Sequence, residues 1–408
     1  MKILLLTQWF DPEPAFKGLA FARELVRRGH EVEVLTGFPN YPGGRVYPGH
    51  RIRLRRRETM EGIPVTRVAL YPSHDQSAIR RVANYTSFAL TASSVGLMSV
   101  KKPDVTYVYH PPATIALPAM AVKILRRAPF VLDVQDLWPD TLTATGMVRN
   151  KAVIGAVSSF CRLAYRSAAR IVVLSPGFKQ RLIERGVAPS KIEVILNWSH
   201  QSATVAAGRD APILKEAGID GRFTVVFAGT MGRAQALSHV LDAAALVAAR
   251  VPRAQFVFIG GGVERTGLEA RARDLALPNV TLLAGRTPAD VAPLLAAADV
   301  LLVHLRDDPL FSITIPSKTQ TYMAAGRPVL MAVRGDAAVL VREAGAGVCV
   351  SPEDPEALAA AVCDLSCLPA EALAEMGARG RAYYLKHLSL AAGVDRFEAV
   401  FRAAAQTG

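Results

Sequence analysis

Residues 315–330 read I-P-S-K-T-Q-T-Y-M-A-A-G-R-P-V-L. A proline-led loop carrying one lysine, Lys318, runs into a helical turn built on Tyr322, Met323 and Ala325. Gly326 stops the turn, as a helix C-cap favours, and Arg327-Pro328 opens an apolar strand. Loop, helix and strand in this order build a parallel sheet covered by helices. The stretch also sets a cation beside a helix N-terminus, where backbone N–H groups and the helix dipole favour an anion. A diphosphate suits that place, although a lone loop lysine is also ordinary solvated surface.

The same alternation runs outward in both directions. Apolar runs at 2–7, 31–36, 65–70, 105–109, 130–134, 171–174 and 192–196 read as strands of a first half. Runs at 223–228, 256–259, 280–283, 300–304, 328–332 and 347–350 read as strands of a second. Helical patterns fill the gaps, at 19–28, 236–249 and 390–405 among others. A polar stretch at 197–208 marks the join. The predicted class is α/β, with two doubly wound Rossmann-like domains, residues 1–198 and 199–388. A terminal helical segment, 389–408, would return to the first. A chain of 408 residues is too long for one ordinary core. Two such domains would face each other across a cleft, where the carboxyl ends of their strands bind ligands.

Charge divides the halves. Residues 1–200 hold 28 Lys+Arg against 14 Asp+Glu, a net of +14, and 201–408 hold 20 against 21, a net of −1. The excess points to an anionic partner for the first half. Arg51, Arg53, Arg55, Arg56 and Arg57 form one basic segment; Arg80-Arg81, Lys101-Lys102 and Arg126-Arg127 add pairs. Between two of these pairs, residues 82–100 carry no charge. Seven Asn, Ser and Thr residues make that stretch too polar for a bilayer span, so a buried or interfacial helix is expected, with Tyr85 and Phe88 suited to a lipid surface. Few aromatics interleave with the arginines, which argues against nucleic acid. The four cysteines form no paired framework and suit a reducing compartment.

Several motifs stand in order along the chain: F-D-P-E-P-A-F-K-G at 10–18, R-G-H-E-V-E-V-L-T-G-F-P-N-Y-P-G-G at 28–44 and V-Q-D-L-W-P-D at 134–140. F-A-G-T-M-G-R-A-Q at 227–235, I-G-G-G at 259–262 and the 315–330 segment follow. Together they resemble the retaining glycosyltransferases of the GT-B fold, family four. Within that family they are most similar to the bacterial surface-polysaccharide branch of the fucosamine-transferase type.

The resemblance implies roles. Lys17 and Gly18, in the turn after the first strand, would lie by the donor diphosphate, with Lys17-Gly18 where many members have two glycines. Lys318 and Arg233 would neutralise the leaving nucleoside diphosphate. Arg233 replaces charges that relatives place at Thr230 and near Gln235. Gly229, Gln235, Gly285, Arg286, Ser317, Gln320 and Thr321 would line the base, ribose and sugar. The family's E-x7-E glutamates fall here on Ile313 and Thr321, neither acidic, so Gln320 or Thr321 would hydrogen-bond in their place. Asp136 and His110, each after an apolar strand of the first half, are the catalytic candidates for orienting or deprotonating an acceptor.

The implied activity is transfer, with retention, of a sugar such as an N-acetylated amino sugar from a UDP-sugar. The acceptor would be a polyprenyl-diphosphate-linked saccharide in O-antigen or capsule assembly. Neither a cofactor nor a metal is expected. The partners would be the nucleotide sugar, the lipid-linked acceptor and an anionic membrane surface, and the location the cytoplasmic side of the cell membrane, peripherally. Two rivals share these features: a UDP-sugar epimerase of the same fold, and a non-catalytic subunit that binds sugar nucleotide or lipid.

Overall fold

The computed structural model describes residues 1–73, 78–144, 150–199 and 221–407. Most of the 197–208 join expected from the sequence lies outside them. The chain divides into two compact units, residues 1–196 with 393–408, and residues 197–392.

The first unit is an eight-stranded sheet in the order β3-β4-β2-β1-β5-β6-β7-β8. Its strands are β1 Lys2–Leu6, β2 Glu31–Gly37, β3 Arg55–Met60, β4 Ile63–Val68, β5 Val105–His110, β6 Phe130–Val134, β7 Arg170–Val173 and β8 Ile192–Val194. All pairings are parallel except β3 with β4. β5 and β6 are buried at every residue. That burial explains why they read as unbroken apolar runs rather than alternating ones.

Four helices of this unit matter below: α1 Leu19–Arg27, α2 Ala78–Thr91, α3 Ala116–Arg126 and α4 Lys151–Ser167. α2 runs on through a π-helical turn, Ala92–Gly96, to Ser99. The uncharged stretch 82–100 is thus a helix with one apolar side in the core, where Phe88 is fully buried. Phe88 therefore has no access to a lipid surface, contrary to the expectation from sequence.

The basic segment is the other departure. Arg55–Met60 forms β3, an edge strand whose residues alternate between exposed and half-buried. Arg55 Nη1 donates to Ser99 Oγ at 3.0 Å, and Arg57 donates to the Ser99 carbonyl. Part of that charge thus fastens β3 to the end of the α2 extension.

The second unit carries a six-stranded, all-parallel sheet ordered β11-β10-β9-β12-β13-β14. Its strands are β9 Phe223–Ala228, β10 Ala254–Ile259, β11 Val280–Leu283, β12 Val300–His304, β13 Val329–Ala332 and β14 Gly347–Cys349. This is the doubly wound Rossmann order, with the switch point between β9 and β12. α5, Leu237–Arg250, follows β9, and α6, Ser317–Ala325, is the helix of the 315–330 segment. Gly326 ends α6 at φ +69°, the left-handed cap expected there.

The last helix, α7 Leu390–Ala405, packs into the first unit. Phe397 meets Phe21 and Tyr107 at 5.3 and 5.6 Å between ring centroids, and Phe401 meets Tyr107 at 6.2 Å. Glu398 receives Arg28 Nη1 and lies 2.7 Å from His30 Nε2.

Candidate functional site

A cavity of about 710 Å³ opens at the carboxyl ends of β9, β10 and β11. Gly229, Gln235, Gly285, Arg286, Ser317, Lys318 and Thr321 all line it, as do Thr230 and the I-G-G-G glycines Gly260 and Gly261. Seven of the nine second-half residues picked from sequence therefore share one crevice, at the switch point where such sheets bind ligands.

Close backbone packing shapes its floor. Gly260 has φ +147°, and a Cβ there would lie 2.0 Å from the Gly229 carbonyl oxygen. Any side chain at 260 would push the β9 loop out of place. Gly229, at φ +137°, leaves room for Lys318, whose Nζ would stand 3.2 Å from a Cβ at that position.

Lys318 is the chemical centre of the crevice. Its Nζ is buried, has no hydrogen-bond partner and sits 3.5 Å from the centroid of the Phe227 ring. A cation over an aromatic face is attracted to it, yet the loss of water outweighs that attraction. Burial pulls the Lys318 ammonium down to about 7. Its remaining donors lack acceptors, an arrangement that an incoming anion would complete.

Two clamps hold the walls. Tyr322 Oη accepts the Ala228 N–H at 2.8 Å, tying α6 to the end of β9. His304 Nδ1 donates to the Gln235 carbonyl at 2.7 Å, while its Nε2 accepts the Glu353 N–H at 3.3 Å. These two bonds fix the tautomer, and burial holds the imidazole down to about 4, so it is neutral. His304 thus steadies the 229–235 loop. The sequence marks Tyr322 as part of the helical turn and His304 as a weak candidate at a strand end, but neither clamping bond is legible in it, because each links positions far apart along the chain. The paired glycines at β-strand ends were the only local signal.

Two expected residues stand elsewhere. Arg233 is not in the lining; its side chain is 88% exposed and pairs loosely with Glu264 at 3.5 Å. Gln320 is buried, and its amide fits as a donor to the Pro316 and Ser317 carbonyls at 2.9 and 3.1 Å. It satisfies the first turn of α6 rather than a ligand. Thr321, at the place of the absent glutamate, is half-buried in the lining and lies 3.2 Å from Ser199 Oγ.

In the first unit, Lys17 departs from its expected role. Its ammonium is fully buried, 3.0 Å from the equally buried Asp133 Oδ2. Asp133 also accepts Tyr107 Oη at 2.6 Å and Gln135 Nε2 at 2.7 Å. Lys17 is therefore committed to an internal ion pair beneath α7, 5.5 Å from the Phe397 ring centroid. Gly18 is also no anion cradle. The Asp11 carboxylate accepts the Leu19 N–H at 2.6 Å, and a Cβ on Gly18 would lie 2.2 Å from the same oxygen. A carboxylate already fills the N-terminus of α1, and it would repel a diphosphate.

His110 ends β5 and is buried, with Nδ1 lacking a hydrogen-bond partner. Burial lowers it to about 4, so the ring is neutral. Its ring stands 6.0 Å from that of Trp138 between centroids, at 75°. Asp136 is half-buried just beyond β6, and burial raises its carboxyl above the usual range. Both stand at the carboxyl edge of the first sheet.

Residues 19–198 match the model of the glycosyl transferase 4-like domain, and 222–367 that of the glycosyl transferases group 1. The chain is 28% identical over 399 residues to the putative colanic acid biosynthesis glycosyl transferase WcaI of Escherichia coli, covering 90% of this chain and 93% of that one. It is 28% identical over 295 residues to the probable glycosyltransferase WbjE of Pseudomonas aeruginosa, 70% of this chain and 72% of that one. Among solved structures, Anabaena HepE in complex with UDP superposes with a TM-score of 0.73 at 17% identity, covering 99% of this chain and all of that one. The sucrose-phosphate synthase of Thermosynechococcus elongatus superposes at 0.69 and 15%, over the whole of both chains. The chain is a glycosyltransferase of the GT-B fold, with a 4-like first domain and a group 1 second domain.

Proposed function

We propose that this enzyme moves a sugar, with retention of configuration, from a UDP-linked donor to a polyprenyl-diphosphate-linked saccharide during assembly of a surface polysaccharide. The observation that carries the donor half is the buried, unpaired Lys318 ammonium in a crevice at the Rossmann switch point. The UDP bound to HepE and the colanic acid assignment of WcaI support the choice of nucleotide and pathway class. An N-acetylated amino sugar is the donor sugar the sequence resemblance favours.

In this reading Lys318 meets the diphosphate as its bond to the anomeric carbon breaks, offsetting the charge that develops on the leaving oxygen. The acceptor hydroxyl attacks from the face being vacated, and its proton passes to the departing phosphate oxygen. Asp136 orients that hydroxyl. Thr321 offers a neutral hydroxyl where the family resemblance implies a carboxylate, which replaces a charge-assisted hydrogen bond to the donor with a neutral one. No metal takes part, so a chelator leaves the rate unchanged.

A membrane location fits a polyprenyl acceptor. Among the described residues no single helix is long and apolar enough to cross a membrane. Ile79, Val82, Leu90 and Met98 along α2 and its extension are exposed, as are Ile124 and Leu125 at the end of α3. Exposed arginines and lysines neighbour them in the chain: Arg80, Lys101, Lys102 and Arg127. Apolar side chains between cations suit an anionic leaflet.

The test is a panel of UDP-sugars offered with and without a short-chain polyprenyl-diphosphate N-acetylhexosamine, with the product read by mass spectrometry and its anomeric configuration by NMR. An acceptor-dependent product with the donor's configuration is expected, and Asp136→Asn should lower its rate without changing UDP affinity. An inverted product, an epimerised donor, or UDP binding with no turnover on any member would sink the proposal.

A further inference from the structure

β1 and β5 are neighbours in the first sheet, and the chain leaves them toward opposite sides, so their carboxyl ends make the switch point of that unit. Four aromatic rings, none of them in the lining of the donor crevice, gather there. Trp9 follows β1, Tyr41 follows β2, Tyr85 lies on α2 and Trp138 follows β6. Trp9 and Tyr41 stand 4.8 Å apart between centroids at 31°, Trp9 and Tyr85 6.4 Å apart, and Tyr85 and Trp138 6.4 Å apart. All four are half-buried, whereas Phe10, Phe38 and Phe88 on the same segments are wholly in the core.

The rings are held by a buried polar frame. Glu13 accepts the N–H groups of Asn40 and Tyr41 at 2.7 Å each and of Phe10 at 3.2 Å, which fixes the loops after β1 and β2. Gln8 Nε2 donates to Asn84 Oδ1 at 2.5 Å, and Asn84 Nδ2 lies 3.3 Å from Asn40 Oδ1, which joins α2 to the same frame. Arg185 Nη1 donates to the Trp138 carbonyl at 3.0 Å. Two polar groups neighbour the aromatic rings. The His110 ring, whose Nδ1 is unpartnered, lies 6.0 Å from that of Trp138 between centroids. The Asp136 carbonyl accepts the Trp138 N–H at 3.1 Å, and its carboxylate charge, after burial, adds to the raised phenols of Tyr41 and Tyr85.

A pyranose has that same division: C–H groups of slight positive charge on its faces and hydroxyls at its rim. An aromatic face is negative and attracts the former, while a carboxylate and an imidazole serve the latter. An isoprenoid segment would bury Asp136 and His110 without partners, which is costly.

We propose that Trp9, Tyr41, Tyr85 and Trp138 form the subsite that stacks a pyranose ring of the acceptor, with Asp136 and His110 at its hydroxyl edge. The proposal rests on the glycosyl-transfer reading above and adds the place and the stacking residues of the acceptor sugar.

Saturation-transfer NMR on the full chain tests it, with methyl glucoside, galactoside and N-acetylglucosaminide as probes and farnesol as the lipid control, each with and without UDP. Saturation should reach the ring C–H protons of at least one pyranoside whether or not UDP is present. Trp9→Leu and Trp138→Leu should each cut it at least fivefold, Trp9→Phe should keep most of it, and all should melt as the parent does. In turnover, the leucine variants should raise the acceptor KM about tenfold and leave the UDP-sugar KM unchanged. Saturation confined to farnesol, signals untouched by the leucine changes, or no pyranoside signal beside calorimetrically normal UDP binding would overturn the subsite. Absent UDP binding with pyranoside signals intact would instead overturn the donor assignment.

Discussion

The Lys318 ammonium is held over an aromatic ring with no acceptor for its protons, and burial has brought it down to about 7, from an ordinary lysine value near 10.4. A diphosphate arriving beside it favours the charged form, so the bound group titrates higher than the free one. The sign follows: binding is strongest below the free value, weakens as pH climbs past about 7, and takes up a proton in between. Calorimetry at pH 8 in buffers of different ionisation heat should show that uptake, and UDP affinity should fall from pH 7 to 9. Lys318→Met should abolish the uptake and weaken UDP by roughly 1.5–3 kcal/mol, as for a charge-assisted contact. Arg233→Ala serves as the control. Its solvated guanidinium lies outside the lining, and its removal should change affinity less than threefold. A pH-independent affinity in the parent would mean that UDP does not meet Lys318.

The elements were legible in the sequence wherever burial set the pattern. β5, β6, β9 and β12 are covered on both faces, so their residues appear as plain apolar runs. β3 escaped because an edge strand carries charge, and R-R-R-E-T-M reads as solvated surface. The glycine turns of the donor crevice were legible too, since backbone contact allows no other residue at 260. Lys17 was not. Its partner Asp133 is remote in sequence, and nothing local tells a turn lysine that faces a ligand from one that folds inward. That pair is expensive to bury, and removing either member alone would strand a charge. It is roofed by α7, whose Phe397 lies against Phe21, Tyr107 and Lys17. Phe397→Ala should therefore destabilise the first unit by roughly 3–5 kcal/mol. In a calorimetric scan the transition of that unit should move down while that of the second stays. An unmoved first transition would show that the terminal helix is not part of its core.

Across the whole molecule, the net positive charge and, among the described residues, most of the exposed large apolar side chains fall to the first unit, although Val263 and Leu385 are exposed in the second. Residues 1–200 carry the net +14 and 201–408 the net −1. The exposed Ile79, Val82, Met98, Ile124 and Leu125, each between 61% and 82% accessible, all belong to the first unit. Solubility alone would not concentrate both features together, and contiguous exposed apolar side chains mark a surface that meets something. The two contributions to membrane binding respond differently to salt. Attraction of each lysine or arginine to an anionic leaflet is worth about 1 kcal/mol near the surface and fades with ionic strength, whereas inserted leucine or isoleucine side chains are indifferent to it. The full chain should therefore sediment with phosphatidylglycerol-containing vesicles and far less with neutral ones, and added salt should release only part of it. Ile124→Ser with Leu125→Ser should enlarge the salt-releasable share of the bound fraction, and Lys101→Gln with Lys102→Gln should weaken binding at low salt, with melting unchanged in both. Phe88 should contribute nothing, since it is in the core, whereas the exposed Arg55 and Arg57 keep their charge despite their bonds to Ser99 and should add only to the salt-sensitive share. Equal binding to neutral and anionic vesicles, or none to either, would return the positive charge to the acceptor's diphosphate alone.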